Sequence, residues 1–196
     1  MFFVAKIYYI THPKVKIDPE KFDKDWEISE EGQDQLQKLL GKDWVSQISI
    51  IYSSNERKAA DSARMMAEKC CIAHKILDDL CGADRTGGRE KHGFLTNAEF
   101  KKAADDFYKY PSKSSIEWEK ASDAQERNIL ALEKIINENP PDSNIAIWGH
   151  GDAGILLLCH LLGKKISRDY DQPQMGSYFV YDSSTGKIDQ LWQPID

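Results

Sequence analysis

Short apolar runs alternate with longer segments in which apolar residues recur every three or four positions. The short runs are rich in β-branched and aromatic residues, which predicts buried strands at 3–10, 48–52 and 144–149. The longer segments predict helices over about 30–41, 57–69, 97–109 and 116–138. A nearly all-apolar segment that ends at Gly163 predicts a core helix over 155–162, followed by two strands at 178–181 and 188–192.

This alternation of strands and helices predicts an α/β fold, a three-layer α/β/α sandwich with a mostly parallel central sheet. The length of 196 residues predicts a single domain over 1–196. Within the region at about 75–125, the stretch 81–93 is rich in glycine and charged residues, which predicts a loop. We expect this region to be an insertion that forms part of a pocket.

Two histidines, His12 and His150, directly follow predicted buried strands. Open α/β sheets bind their ligands beyond the carboxyl ends of the strands. Although the two histidines are far apart in sequence, the fold class therefore predicts that they share one site.

The composition indicates which kinds of binding partner are unfavourable for this protein. The net charge of −6 argues against nucleic acid and against an anionic membrane surface. The four cysteines have neither zinc nor redox spacing, which favours reduced thiols in a cytoplasmic protein. The apolar N-terminus is too short for a signal peptide, no run approaches the length of a membrane span, and the sequence carries no clear signal of an oligomer.

A cationic residue completes the candidate site. Arg57 follows the strand end at Ser53-Ser54 and falls in the first turn of a predicted helix. A guanidinium can hold two phosphate oxygens at once, and a helix N-terminus offers free amide donors. Two histidines beside such an arginine predict a site for a phosphoryl group, with one neutral histidine as nucleophile.

The order of these motifs resembles the histidine phosphatase (phosphoglycerate mutase-like) superfamily along nearly the whole chain. Further short motifs are similar to a bacterial branch of uncharacterised histidine phosphatase proteins: Asp84-Arg85, Gly93-Phe94-Leu95, Ala124-Gln125-x-Arg127, Leu158-Cys159-His160-Leu161 and Asp171-Gln172-Pro173.

The resemblance implies a phosphatase that hydrolyses a phosphate monoester and forms a phosphohistidine on His12. Arg57 and His150 would bind the phosphoryl group, and a carboxylate would protonate the leaving oxygen and then activate water. No metal or other cofactor is expected, and the partner would be a small phosphorylated substrate or phosphate itself. We predict further substrate contacts from Thr11, Ser54, Arg85 and Gly151.

The chain departs from the family pattern at its first motif. The family has Arg-His-Gly where this sequence has Thr11-His12-Pro13, so a phosphate-binding arginine is replaced. We hypothesise that Arg85 supplies the missing charge.

The catalytic acid is a second departure. The branch has a glutamate two residues before the Asp-Arg pair, where this chain has Gly82. Asp79, Asp84 and Glu90 are the nearby candidates for the proton donor, and we favour Asp84 because it adjoins Arg85. We also expect the loop from Arg85 to Gly93 to be longer than in the branch.

Two other functions stay open at this point. One is a phosphoglycerate mutase-type phosphotransferase, which would need a second anionic pocket; the motifs carry no extra basic cluster for one. The other is a catalytically weak protein that binds a phosphorylated ligand, for which Thr11, Pro13 and Gly82 are the reason.

Overall fold

The computed structural model describes residues 5–196, and its centre is a six-stranded sheet. The strands, in chain order, are β1 (Lys6–Thr11), β2 (Val15–Lys16), β3 (Glu27–Ile28), β4 (Ile50–Ser53), β5 (His74–Ile76), β6 (Ile145–Gly149), β7 (Ser177–Asp182) and β8 (Lys187–Pro194). The order across the sheet is β5-β4-β6-β1-β7-β8, and β2 pairs with β3 in a separate two-stranded ribbon. The pairings from β5 to β1 are parallel, and β7 and β8 add antiparallel strands.

Six α-helices surround the sheet in the described part of the chain. They are α1 (Glu30–Leu40), α2 (Arg57–Cys70), α3 (Thr86–His92), α4 (Asn97–Lys109), α5 (Ala121–Glu138) and α6 (Gly151–Leu161). None of these helices is long and apolar enough to cross a membrane.

Alternating side chains of each strand divide the core into two layers, one on each face of the sheet. Tyr8 and Ile10 of β1 pack with α1 and α2 on one face. Ile7 and Tyr9 of the same strand pack with α5 and α6 on the other. The predicted three-layer α/β/α sandwich with a mostly parallel sheet is therefore confirmed.

A third apolar cluster lies between α4, α6 and the start of α5. Phe107 and Trp118 are almost fully buried in it and contact each other with ring centroids 6.2 Å apart. This cluster packs the stretch between β5 and α5 against α6, so that stretch can form a wall of a site.

Most predicted elements form close to their expected bounds, but three differ. Residues 86–92 are helix α3 where a loop was predicted, and α6 begins at Gly151, earlier than 155. The long helix begins at Ala121 rather than at 116, because Ile116 and Glu117 have positive φ values of 44° and 59° and cannot continue a right-handed helix. The first predicted strand was to begin at residue 3, and residues 3–4 lie outside the described chain.

Candidate active site

A cavity of about 460 Å³ opens where β1, β4 and β6 end. His12 follows β1, His150 follows β6, and both side chains line the cavity. Their ring centroids are 5.4 Å apart. Because these strands are neighbours in the sheet, the fold brings the two histidines together as the sequence predicted.

The His12 ring is held in one tautomer. Its Nδ1 lies 2.9 Å from the carbonyl oxygen of Pro13, which can only accept, so Nδ1 carries the proton and donates it. The Nε2 atom is left with its lone pair. Burial, together with the charges of His150 and Lys58, lowers the pKa of His12 to about 3, so the ring is neutral at physiological pH.

His150 is buried and contacts two side chains of the β4–α2 turn. Its Nε2 lies 2.7 Å from Ser54 Oγ and 3.4 Å from Glu56 Oε1. Burial lowers the pKa of His150, while the Glu56 carboxylate acts in the opposite direction. Its backbone is also fixed, because Tyr9 OH donates to the carbonyl of His150 at 3.1 Å. Ser54 therefore positions His150 and lies behind it, fully buried.

Arg57 does not reach the cavity. Its side chain is half exposed and its guanidinium pairs with Glu27 at 2.9 Å and with Asp61 at 3.7 Å. The prediction that Arg57 binds phosphate is not supported by this placement. The next residue, Lys58, is buried and lines the cavity instead, because one step along a helix turns the side chain by about 100°.

Lys58 and Glu56 form a buried ion pair beside the histidines. The Lys58 ammonium also donates to the backbone carbonyl of Asp23 at 2.7 Å. Burial alone would raise the pKa of Glu56, but His150 and Lys58 lower it to about 2. Glu56 is therefore ionised at neutral pH.

Arg85 lines the cavity, as the sequence predicted, but it already has anionic partners. Its guanidinium lies 2.6 Å from Asp152 and 3.4 Å from Asp23. Burial raises the pKa of Asp152, yet Arg85 and His150 together hold it below its usual value. The Nε–H of Arg85 is buried without a hydrogen-bond partner among the described residues.

The predicted proton donors lie elsewhere. Asp79, Asp84 and Glu90 are exposed and outside the cavity lining. The Asp84 carboxylate accepts the backbone N–H of Thr86 at 2.9 Å, and bonds from Thr86 lower its pKa. Asp84 is therefore occupied with the first backbone N–H of α3, and its placement does not support a role as the acid.

Gly82, where the branch has its glutamate, is packed against Asp152. A Cβ atom at this position would lie 3.0 Å from one Asp152 oxygen and 3.4 Å from the His150 ring. The space beside Gly82 is thus occupied by the carboxylate that holds Arg85. Arg127 fixes this segment by donating to the carbonyls of Cys81 and Gly82, each at 3.1 Å.

Thr11 is not part of the cavity lining, but its side chain holds a residue that is. It is fully buried, and its hydroxyl donates to Gln172 Oε1 at 2.6 Å while accepting the backbone N–H of Ser177 at 3.0 Å. Gln172 lines the cavity beside Gly151, where a Cβ atom would lie 2.3 Å from Gln172 Nε2. Thr11 therefore positions the Gln172 amide, whose NH₂ group is directed toward Gly151.

Sequence reasoning missed Glu56, Lys58 and Asp152 as cavity residues. Each adjoins a residue that was predicted, so the motifs located the right turns but not the right side chains. Among the described residues there is no group of three or more side chains suited to hold a metal ion.

The chain matches the family model described as histidine phosphatase superfamily (branch 1) over residues 11–187. No curated protein sequence matches it. Among solved structures, YhfR of Bacillus stearothermophilus is similar with a TM-score of 0.79 and 18% identity, covering 95% of each chain.

Two further solved structures are similar. A mycobacterial glucosyl-3-phosphoglycerate phosphatase has a TM-score of 0.74 at 16% identity, covering 97% of this chain and 96% of its own. Phosphoserine phosphatase from Entamoeba histolytica, in complex with phosphoserine, has a TM-score of 0.72 at 14% identity, with 95% and 96% coverage. At these identities the likeness establishes a shared fold.

Proposed function

Since the chain belongs to the histidine phosphatase superfamily (branch 1), we propose that it hydrolyses a phosphate monoester through a phosphohistidine on His12. The hydrogen bond from His12 Nδ1 to the Pro13 carbonyl carries this proposal. It leaves a neutral ring with the Nε2 lone pair free for attack on phosphorus, beside a second histidine and a buried lysine.

The phosphoryl group would lie between cationic and amide donors from separate elements. Lys58, Arg85 and Gln172 line the same cavity as the two histidines. The N-terminus of α6 adds the positive end of a helix dipole at Gly151. When the anion enters, its charge raises the pKa of His150, so that the ring can take up a proton and bind a phosphoryl oxygen.

The reaction has two displacements. His12 Nε2 forms a P–N bond while the ester P–O bond breaks; the oxygen of the alcohol leaves as an anion with the bonding electrons and takes its proton from water. Water then attacks phosphorus, the P–N bond breaks, and the neutral ring is restored. We assign to Glu56, which is ionised and lines the cavity, the acceptance of the water proton in this second step.

The test is turnover of 4-nitrophenyl phosphate with a chelator present, beside His12→Ala and the control His160→Ala. His160 lies on α6, exposed and outside the cavity. We expect wild type and the control to hydrolyse the ester and to trap acid-labile phosphate on the protein, and His12→Ala to do neither. Turnover that survives in His12→Ala, or that the chelator abolishes, would overturn the mechanism.

A second candidate is a protein of the same fold that binds a phosphorylated ligand with little turnover. The pairing of Lys58 with Glu56, and of Arg85 with Asp152, favours it, because both cations are partly neutralised before any ligand arrives. Vanadate binding by a folded wild-type protein that releases no phosphate and traps none would select this function.

A further inference from the structure

We propose that the substrate is the phosphate ester of an aromatic alcohol, with the ring held by the walls of the cavity. This inference rests on the proposed function, because it concerns the leaving group of that reaction.

Aromatic and apolar side chains form most of the outer cavity. Its lining includes Val15, Ile17, Trp26, Phe94, Leu95, Phe100, Trp118 and Met175. Four of these are substantially exposed: Ile17 at 55%, Phe94 at 45%, Phe100 at 41% and Met175 at 39%. Clustered apolar exposure of this kind marks a binding surface, because a ligand that covers it gains the free energy of burying apolar area.

Planar cations lie on the rings of this wall. The Arg85 guanidinium lies 4.8 Å from the Trp118 ring centre and 5.2 Å from that of Phe100. The Arg89 guanidinium lies 5.1 Å from that of Phe94. Arg85 and Arg89 therefore stack on rings of this wall and line the cavity with them, and planar guanidinium groups and rings are both surfaces on which an aromatic ligand can stack.

The backbone that leads into Trp118 is strained. Ile116 and Glu117, directly before it, have left-handed backbones, which a β-branched residue rarely adopts. Gly88 of α3 then packs so closely that a Cβ atom there would lie 2.7 Å from the Trp118 ring. Trp118 itself is only 5% exposed, and it supports the wall from behind by contacting Phe100, with ring centroids 5.5 Å apart, and the Arg85 guanidinium at 4.8 Å.

The chemistry of the leaving group points the same way. The Glu56 and Asp152 carboxyls line the cavity beside His150 and are both ionised, because Lys58, Arg85 and His150 lower their pKa values. An ester whose alcohol can depart as an anion needs no proton donor. A phenol has a pKa of about 10, whereas aliphatic alcohols are nearly as weak as water at about 15.7, so an aryl ester meets this requirement.

The cavity offers few free charges to a second anionic group. Among its cationic lining residues in the described chain, Lys21, Lys58 and Arg85 already pair with carboxylates. Arg89 donates to the backbone carbonyls of Pro19 and Lys21. Phosphorylated acids such as phosphoglycerate would have to displace these partners, and an uncharged aromatic ring would not.

The first experiment measures binding without turnover, so that it does not depend on the mechanism. Calorimetry with His12→Ala compares 1-naphthyl phosphate, butyl phosphate and 3-phosphoglycerate. We expect naphthyl phosphate to bind at least tenfold more tightly than either of the others. Equal or weaker binding of naphthyl phosphate would overturn the aromatic site even if the phosphohistidine mechanism holds.

The wall is tested with Phe94→Ala, beside the control Leu130→Ala. Leu130 is 58% exposed on α5 and lies outside the cavity. We expect Phe94→Ala to weaken naphthyl phosphate binding about fivefold or more while vanadate binding stays unchanged, and the control to change neither. Unchanged naphthyl binding in Phe94→Ala would count against the proposal.

The leaving-group argument is tested with a series of substituted phenyl phosphates. We expect the rate of the first step to fall steadily as the pKa of the phenol rises, because negative charge accumulates on the departing oxygen. A rate of that step that does not depend on the phenol pKa would show that the protein protonates the leaving oxygen, and would remove this support.

Discussion

Arg57 and Lys58 are adjacent on the first turn of α2 but end in different environments. The Arg57 guanidinium lies at the surface 2.9 Å from Glu27, whereas the Lys58 ammonium is buried at the cavity and donates to the carbonyl of Asp23 at 2.7 Å. Of these two neighbours only Lys58 lines the cavity, so under the proposed function it is the lysine that would contact the phosphoryl group.

The first prediction concerns this lysine. Because removal of Lys58 alone would leave Glu56 as an unpaired buried charge, the test is Lys58→Met combined with Glu56→Gln. A charged hydrogen bond contributes about 1.5–3 kcal/mol, so we expect vanadate inhibition roughly 10–100-fold weaker. Glu56→Gln alone should retain the affinity for vanadate. In Arg57→Ala the affinity for vanadate should stay within about twofold of wild type, because the ion pairs of Arg57 are exposed. A larger effect in Arg57→Ala would reverse the assignment.

The second prediction concerns pH. His12 has a pKa of about 3 in the folded protein and 6.5 when unfolded, so the unfolded chain binds more protons between these values. Its contribution to stability is therefore lost as the pH falls from 6.5 towards 3. Between pH 6.5 and 4.5 we therefore expect the free energy of unfolding of wild type to fall by up to about 2–3 kcal/mol more than that of His12→Asn.

Urea unfolding at several pH values measures this difference. The range stops at pH 4.5 because the pKa of Glu56 in the unfolded chain is 4.5, so proton uptake by this carboxylate dominates at lower pH. His160→Asn is the control on an exposed histidine. Equal losses of stability in wild type and His12→Asn would show that His12 is not held neutral by the fold.

The third prediction is that Gly82→Ala destabilises the protein. The added methyl group would lie 3.0 Å from an Asp152 oxygen that cannot move freely, because that carboxylate also accepts the N–H of Ala83 at 3.1 Å. Overpacking of this kind costs roughly 1–3 kcal/mol in urea unfolding. Gly41→Ala is the matched control, since a Cβ atom there is 3.4 Å from its nearest neighbour. Equal stability of the two variants would contradict the packing described for Gly82.

The fourth prediction concerns the threonine in place of the family arginine. Thr11→Val keeps the shape but removes the hydroxyl that serves Gln172 and Ser177. We expect a loss of about 1–3 kcal/mol in unfolding free energy and a KM raised roughly 2–10-fold, because the Gln172 amide is no longer oriented. Thr11→Ser retains the hydroxyl and should retain the KM. A KM that is unchanged in Thr11→Val would mean that Gln172 does not contact the substrate.

The sheet could be predicted because each buried strand is a short apolar run with a clear stop. His12 and His150 stand at two such stops, and neighbouring parallel strands necessarily end at one edge. Helix α3 could not be predicted, because Gly87 and Gly88 within it are poor helix formers and its stability depends on packing against Trp118.

The positions of the site's turns could be predicted, but not which side chains face the cavity. A motif locates a turn, but one residue along a helix changes the direction of the side chain, so Arg57 and Lys58 could not be told apart. Asp152 follows the Gly149-His150-Gly151 motif directly, yet its pairing with Arg85 joins residues 67 positions apart and appears only in the fold.

The Asp152–Arg85 pair has one more consequence. The arginine already has an internal counter-ion, so any ligand anion has to compete with a tethered carboxylate for the guanidinium. We expect such competition to keep the cavity free of chloride and other weakly coordinating ions of the surrounding solution. An anion with several strongly accepting oxygens, as in a phosphate dianion, would compete best, so we expect the pair to favour such anions over other solutes in the cavity.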